Sequence, residues 1–481
     1  MNLPKKIHVI GICGVATSAI AIAFKKRGVY VTGSDKGFFP PVSTELEKQG
    51  IDFYAGWHPE KMIETGVPDA VMIGAASGSQ NPETAYAKEH GIPMFSYPEM
   101  IGEYFVKRNS IVCSGTWGKT SSSALLSFIL NEVGMDPSYM FGGVSLSHDS
   151  SARLGDSEWS VFEGDEYKSS PTDARAKFFH YKPTHLLLSA VSWDHADLYT
   201  TEESYFDAFR KLLAGMPKTG LLVARAEQPG IKEIVSAFKG KVLTYGLGND
   251  QPKNKDDSAT PDFTYSNVEQ STSGVDFTIS HVGQTFHIHS PMLGAYQAEN
   301  ITGCFAMATS IGIAPEKIIE AISKFNGLRR RMEKRSNSSG ITIIDDIAHS
   351  PEKAVSVLAT LKEIYGIIGG KIIAVFEPNI GGRERQSAAK YDNAFKDADQ
   401  VIIPRLTKLK IADDKSAAPM EGDELASMIL KTQKNTLYID NDKALIEHLI
   451  STAKKGDVIA FLGSHGFRGM IEEVVERINI K

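Results

Sequence analysis

One run, Asn109 to Gly134 (NSIVCSGTWGKTSSSALLSFILNEVG), constrains the fold more than any other. Ile111, Val112 and Cys113 form a short apolar segment of β type. It enters the turn Gly115-Thr116-Trp117-Gly118, and Lys119 and Thr120 follow. Leu125, Leu126, Phe128, Ile129 and Leu130 then suit one side of a helix, which Gly134 closes as a residue tolerant of positive φ. Strand, glycine turn, Lys-Thr and helix is the layout of a phosphate-binding loop. Small residues let backbone N–H groups approach phosphates, and the helix N-terminus adds partial positive charge. In that reading Lys119 reaches the β/γ-phosphates and the Thr120 hydroxyl sits on Mg²⁺. Cys113 stands where the general pattern has a further glycine. The alternative is an ordinary strand-to-helix turn with a chance Gly-Lys-Thr, but strand and helix signals flank the motif on both sides.

A loop of this kind needs an α/β sheet around it, and the rest of the chain reads as one. Lys6 to Ile10, the turn Gly11-Ile12-Cys13-Gly14, a helix from Ala16 and a strand Val29 to Thr32 make a βαβ unit. It ends in Gly33-Ser34-Asp35. The third glycine of the dinucleotide fingerprint is missing, so a nucleotide site and a plain turn both remain open there. Asp69 to Gly74 and Pro93 to Phe95 are further strands of this first domain. After the phosphate loop, Trp159 to Glu163 and His185 to Ser189 read as strands. They run into Glu163-Gly164-Asp165-Glu166-Tyr167 and Trp193-Asp194-His195-Ala196-Asp197. Acidic residues and a histidine just past strand carboxyl ends suit Mg²⁺ coordination and water positioning. Either cluster alone would read as a solvated acidic turn.

Asn249 to Asp262 is a polar surface insertion. Phe277 to His281 and Thr285 to His289 alternate around Gly283 as a hairpin, with His287 and His289 as surface strand residues. Arg329-Arg330-Arg331 is either a solvated charge run or a clamp for phosphate or carboxylate. Strands at Ile341 to Ile344, Lys371 to Phe376, Gln400 to Ile403 and Asp457 to Leu462 then describe a Rossmann-like domain.

At 481 residues there is room for about three domains. The net charge of −6 argues against non-specific nucleic-acid binding. Cys13, Cys113 and Cys304 offer neither a disulfide framework nor zinc spacing, which fits a reducing compartment. The apolar run at the start is too short for a signal peptide, and no run of about 18 apolar residues exists. The expectation is a cytoplasmic chain with small-molecule substrates, no nucleic acid, no membrane and no obligate protein partner.

The order of these motifs resembles the Mur ligases, three-domain ATP-dependent amide-forming enzymes of peptidoglycan synthesis, over nearly the whole length. Gly115 to Thr120 looks like the family's Gly-Thr-x-Gly-Lys-Thr, with Trp117 where histidine or asparagine is more usual. Glu163, in Glu-Gly-Asp-Glu, resembles the Mg²⁺-binding glutamate, and His195 the histidine of the second Mg²⁺. Arg331 resembles the arginine that meets the γ-phosphate, and Asp346 and His349 the Asp-Asp-x-Ala-His signature of the third domain. Gly294-Ala295-Tyr296-Gln297-Ala298-Glu299-Asn300 stands for the adenine-side Gly-x-His-Asn-x-x-Asn, with Tyr296 and Gln297 as departures. Arg210 lies where several relatives carry a carbamylated lysine, so that modification is not expected.

The resemblance implies an α/β, three-domain architecture. Residues 1–107 would be a UDP-sugar-binding domain, 108–331 a central ATP-binding phosphate-loop domain, and 332–481 a Rossmann-like domain closing on ATP and the amine. It implies ATP and Mg²⁺ as cofactors, with Mg²⁺ held through Thr120, Glu163 and His195. Lys119, Glu163, His195 and Arg331 would be catalytic. Gly115, Thr116, Trp117, Gly118, Lys119, Thr120, Gln297, Asn300, Arg331 and Asp346 would bind ATP. Gly11, Ile12, Cys13, Gly14, Ser34 and Asp35 would hold the UDP-sugar, and His349 and Arg383 the amine substrate. The run from Val31 to Ile51, with Pro40-Pro41-Val42-Ser43-Thr44, resembles the members that join L-Ala-γ-D-Glu-meso-diaminopimelate to UDP-N-acetylmuramate. The other close type adds L-alanine to the same nucleotide sugar. A phosphate-loop ATPase or kinase acting on another acid, and a non-catalytic nucleotide-binding homologue, are the alternatives of different class.

Overall fold

The computed structural model describes residues 3–38, 40–74, 80–248, 260–336, 339–407 and 419–480. Most of the insertion expected at Asn249 to Asp262 lies outside them. They belong to two compact units. The first, Met1–Val268 with Asp276–Ser290 and Tyr296–Asn326, carries two sheets.

The first sheet has strands β1 (Lys6–Ile10), β2 (Tyr30–Asp35), β3 (Asp52–Ala55), β4 (Ala70–Ile73) and β5 (Met94–Ser96). Their order is β3-β2-β1-β4-β5, all parallel. Every residue of β1 is buried, as expected of a central parallel strand covered on both faces. Ile20 and Phe24 of the helix Val15–Lys26 pack with Ile7 and Val9. Met62, Ala87 and Ile92 pack with Ile10 and Val71 in a separate, smaller cluster. The chain leaves β1 in one direction and β4 in the other, so a crevice opens at the carboxyl ends between them.

The second sheet has ten strands: β6 (Asn109–Ser114), β7 (Ser138–Met140), β8 (Ala152–Arg153), β9 (Trp159–Gly164), β10 (His185–Leu188), β11 (Leu221–Arg225), β12 (Lys241–Leu247), β13 (Phe263–Ser271), β14 (Gly274–His281) and β15 (Gln284–Ser290). The order is β15-β14-β13-β12-β11-β10-β6-β9-β7-β8. β6 lies between β9 and β10, parallel to both, so three loops leave one edge side by side. They are the phosphate loop, the acidic loop after β9 and the loop that carries His195. β14 and β15 are the expected hairpin; His289 meets Asp276 across it at 2.9 Å.

The second unit, Gly327–Lys481 with Glu269–Val275 and Pro291–Ala295, carries six strands. These are β16 (Glu333–Ser336), β17 (Thr342–Asp346), β18 (Ile372–Glu377), β19 (Gln400–Pro404), β20 (Thr436–Ile439) and β21 (Val458–Gly463). β16 is antiparallel to β17, and the other five are parallel in the order β17-β21-β18-β19-β20. Core clusters lie on both faces: Leu358, Phe376 and Leu425 belong to one, Leu449, Phe461 and Val474 to the other. Insertion of β21 between β17 and β18 makes a second crevice of the same kind. Among the described residues no helix is long and apolar enough to cross a membrane.

Candidate active site

The turn after β6 is shaped from below by the loop after β10. Gly115 has φ +139°, and a Cβ there would lie 2.5 Å from Ser189 Oγ and 2.7 Å from Ala190 O. Gly118 has φ +81°, and a Cβ there would lie 2.7 Å from Asn300 Oδ1. Both positions therefore require glycine twice over, by backbone angle and by space. Thr116 N donates to Ala190 O at 3.0 Å. Its hydroxyl accepts from Ser192 N at 2.9 Å and lies 3.1 Å from Tyr205 OH. Ser189 Oγ donates to Trp117 O. The helix Lys119–Glu132 starts with no side-chain cap, which leaves its first N–H groups for an anion.

Charged side chains gather above that turn. Lys119 Nζ donates to both oxygens of Glu166 at 2.9 Å, and Glu166 is wholly buried. His195, at φ +55°, brings Nε2 within 3.3 Å of the same carboxylate. That hydrogen bond holds the His195 imidazole above its ordinary pKa. Thr120 Oγ1 donates to Glu163 Oε1 at 2.7 Å, and Gly142 N donates to Glu163 Oε2 at 2.5 Å. Burial works against the charge of Asp165, yet Lys177 and Lys119 hold its carboxyl below the usual range. Asp165, Glu166 and His195 can each offer a ligand atom within 4.8 Å of the others. The hydroxyl and carboxylate oxygens are hard donors, which fit Mg²⁺ on a polyphosphate, while the His195 imidazole adds one softer nitrogen. Glu166 is absent from the expected site residues, although the run Glu163-Gly164-Asp165-Glu166 was its signal.

In the run Gly294 to Asn300, Asn300 lies against the phosphate loop at Gly118. Gln297 is buried, and its Oε1 has no hydrogen-bond partner among the described residues. Its neighbour Glu299 is pushed up to about 7 by burial, although Arg225 Nη1 lies 2.7 Å away.

The first-domain turn uses most of its own donors internally. Gly11 N and Ile12 N donate to Ser34 O at 2.8 and 3.1 Å, and Cys13 N to Asp35 Oδ2 at 2.8 Å. Gly14 N donates to Gly11 O at 3.2 Å. Two of the expected residues turn their side chains inward. The Ile12 side chain is in the core, so tightly set that a Cβ on Gly33 would lie 2.4 Å from it. The Ser34 hydroxyl points inward to Glu83. What faces outward is the uncapped first turn of Val15–Lys26, with Val15 exposed. Glu83 also accepts from Tyr54 OH at 2.6 Å and His58 N at 2.8 Å, so it braces Ser34 and hence the turn.

In the second unit, Asp346 accepts from Met332 N and Ala348 N, both at 2.8 Å, and so fixes the chain on either side of β17. Burial raises its pKa. Arg331 is exposed beside Met332, whose φ is +52°. His349 donates from Nδ1 to Ile347 O at 2.7 Å and meets Lys353 Nζ at 3.3 Å through Nε2. Burial and Lys353 keep it below its ordinary pKa. Arg383 turns inward as well. It is buried, and donates to Met420 O (3.0 Å), Thr407 O (3.0 Å) and Glu421 Oε1 (3.1 Å). It clasps the domain's own loops instead of facing a substrate.

A phosphate loop on a central parallel strand, with a lysine, three acidic groups and a histidine at the same sheet edge, defines a nucleoside-triphosphate-using α/β enzyme. The chain belongs to the Mur ligase family. It matches the family's catalytic domain over residues 6–108, the Mur ligase middle domain over 113–308 and the glutamate ligase domain over 330–465. Members of this family are ATP-dependent amide and peptide ligases. The Escherichia coli UDP-N-acetylmuramate–L-alanyl-γ-D-glutamyl-meso-2,6-diaminoheptandioate ligase is 30% identical, over 98% of each chain. A UDP-N-acetylmuramate–L-alanine ligase of Caldicellulosiruptor saccharolyticus is 29% identical, over 99% of each. Among solved structures, a murein peptide ligase from Psychrobacter arcticus aligns with TM-score 0.67 at 24% identity, over 99% of each chain. The UDP-N-acetylmuramate–alanine ligase of Thermotoga maritima aligns with TM-score 0.77 at 21% identity, over 98% of each. These two likenesses are of fold.

Proposed function

We propose that this chain joins the lactyl carboxylate of UDP-N-acetylmuramate to the amine of L-Ala-γ-D-Glu-meso-diaminopimelate, with ATP and Mg²⁺, in the cytoplasm. The observation that carries it is the convergence of Lys119, Thr120, Glu163 and His195 at one helix N-terminus. The first-domain run Pro40 to Thr44 and the full-length likeness to the Escherichia coli ligase support the substrate pair.

Residues 1–107 would hold the nucleotide sugar by the turn Gly11 to Gly14, Asp35 and the first turn of Val15–Lys26. Residues 108–331 would hold ATP. Residues 332–481 would receive the amine. The carboxylate oxygen attacks the γ-phosphorus, the bond to ADP breaks, and an acyl phosphate forms. The peptide nitrogen then attacks the acyl carbon and loses a proton, and inorganic phosphate leaves. Two anions must meet in the first step, so positive charge is the main requirement. Lys119 supplies it on the γ-phosphate, and the family resemblance makes Arg331 a second candidate for that task. Thr120, Glu163 and His195 would hold Mg²⁺, which neutralises polyphosphate charge when bound. Glu166 keeps Lys119 extended over the loop until phosphate competes for it. Gln297 offers its buried amide oxygen to the amino group of adenine, in the part asparagine plays in relatives.

The test is phosphate release with ATP, Mg²⁺ and UDP-N-acetylmuramate, comparing tripeptide with L-alanine. Release with the tripeptide alone supports the reading. Release with L-alanine alone replaces it with the second reading, for which the near-equal identity to the Caldicellulosiruptor ligase speaks. Turnover that ignores UDP-N-acetylmuramate points to another acid as substrate.

A further inference from the structure

Arg383 faces inward, so a cation for a carboxylate of the incoming amine substrate would stand elsewhere in the second unit. The crevice of its sheet lies between β18 and β21, whose ends pair Glu377 with Gly463. Arg468, on the loop after β21, spans this point. It donates from Nη1 to Glu377 Oε2 at 3.2 Å, and from Nε and Nη2 to the two oxygens of Asp442, each at 3.0 Å. Arg405, just past β19, donates from Nη2 to the same Asp442 at 2.8 Å. Two guanidiniums thus share Asp442, with Glu377 as a second carboxylate on Arg468, at the carboxyl ends of three strands. Asp442 offsets their mutual repulsion and fixes their planes.

Two further observations separate this group from an ordinary surface ion pair. Phe467 and Arg468 both adopt positive φ, +51° and +54°. Neither is glycine, and such strain persists where the surroundings over-determine it, most often at ligand sites. Phe467 is wholly buried, edge-on to Phe461 at 5.2 Å, which anchors the strained pair and aims Arg468. Meanwhile Arg405 is 57% exposed, and one N–H of its five bonds to a described residue. The group is braced on one side and open on the other.

We propose that Arg405 and Arg468, splinted by Asp442, are the residues that read a carboxylate of the incoming amine substrate. This rests on the ligase reading above, and it names the chemistry of the amine site. L-alanine carries a carboxylate and the tripeptide several, so the site serves either amine. A planar fork suits carboxylate in a way lysine does not.

The experiment is steady-state phosphate release by wild type, Arg405→Ala, Arg405→Lys and Arg468→Ala. The expected result is a rise of about tenfold or more in KM for the amine, the usual size of a lost charged hydrogen bond, with KM for ATP unmoved. Arg405→Lys restores little. Converting the tripeptide's carboxylates to carboxamides raises KM for wild type and adds nothing to Arg405→Ala. An unchanged amine KM in Arg405→Ala, or the same loss with carboxamide and carboxylate peptides, overturns the proposal. Arg468→Ala removes a loop anchor and is read with its Tm; exposed Arg405 gives the decision if that variant melts early. If wild type turns over L-alanine alone, the tripeptide reading fails, while the same variants measured with L-alanine still decide the carboxylate site. Calorimetric binding of the tripeptide to wild type and Arg405→Ala decides it without turnover.

Discussion

Glu166 meets Lys119 and His195 through its side chain and Tyr199 through its backbone oxygen, the last at 2.6 Å. Lys119 and His195 are tied to each other through this one buried acid. Lys119→Ala should lower the ligation rate by at least ~10²-fold, as loss of a preorganised charge donor does. Single-turnover acyl transfer measures it, and an unchanged rate would sink the assignment. A quieter residue sets an acid limit on stability. His148 lies between the rings of Phe128, Tyr139 and Phe141, bonded to Ser127 and Ser145. Burial lowers its pKa to about 4, against a slight rise from Asp149. Its folded value lies below its unfolded one, so the unfolded chain binds the proton first. Stability from this residue is complete above about pH 6.5 and falls as pH drops toward 4, by up to about 3 kcal/mol. Urea melts of wild type and His148→Gln at pH 7 and 4.5 should show a smaller acid loss in the variant.

Among elements, the glycines divide by what surrounds them. Gly115→Ala and Gly118→Ala meet both positive φ and neighbours within 2.7 Å, so each should cost ~2 kcal/mol or more and abolish nucleotide-dependent phosphate release. Gly134, at φ +79° with nothing within 4 Å, carries only the backbone penalty. Gly134→Ala should cost about 1 kcal/mol and leave turnover intact, as thermal melts and rate assays on the three variants will tell. The same elements show what a sequence discloses. β1, β6, β10, β17, β18 and β21 are short runs buried on both faces, and apolar residues announce them. β7 and β8 span three residues and two, too short for any period to appear. β20 is an edge strand with Leu437 and Tyr438 exposed. β11 (LLVAR) is missing from the sequence reading although it carries the same apolar signal. The chemistry of the site was legible as residue types past strand ends. The direction of each side chain was not. Ser34 turns inward for Glu83, 49 residues on, and Arg383 for Met420, 37 residues on. Such partners arrive only with the fold.

At the scale of the whole molecule, one continuous core joins the first two sheets: Ile7 and Phe24 belong to the same cluster as Phe162 and Leu186. The turn Gly11 to Gly14 and the phosphate loop therefore stand on one body. UDP-N-acetylmuramate at a hundred times its Kd should stabilise that body by about 2.7 kcal/mol. Amide exchange should slow in β6 and β10 as well as in β1 and β4; slowing confined to residues 6–105 would mean two separate bodies. The ion pair of Arg27 with Asp156 also links the two sheets, but it is solvent-facing. Arg27→Ala should move the melting free energy by less than about 1 kcal/mol.

Trp117 gives the phosphate loop an optical property of its own. The chain has four tryptophans, and this one stands 46% exposed on the turn where polyphosphate would lie. An indole there changes its emission when an anion displaces its water. Nucleotide titration then needs no label, and Trp117→Phe separates its share of the change from that of Trp193, equally exposed on the His195 loop.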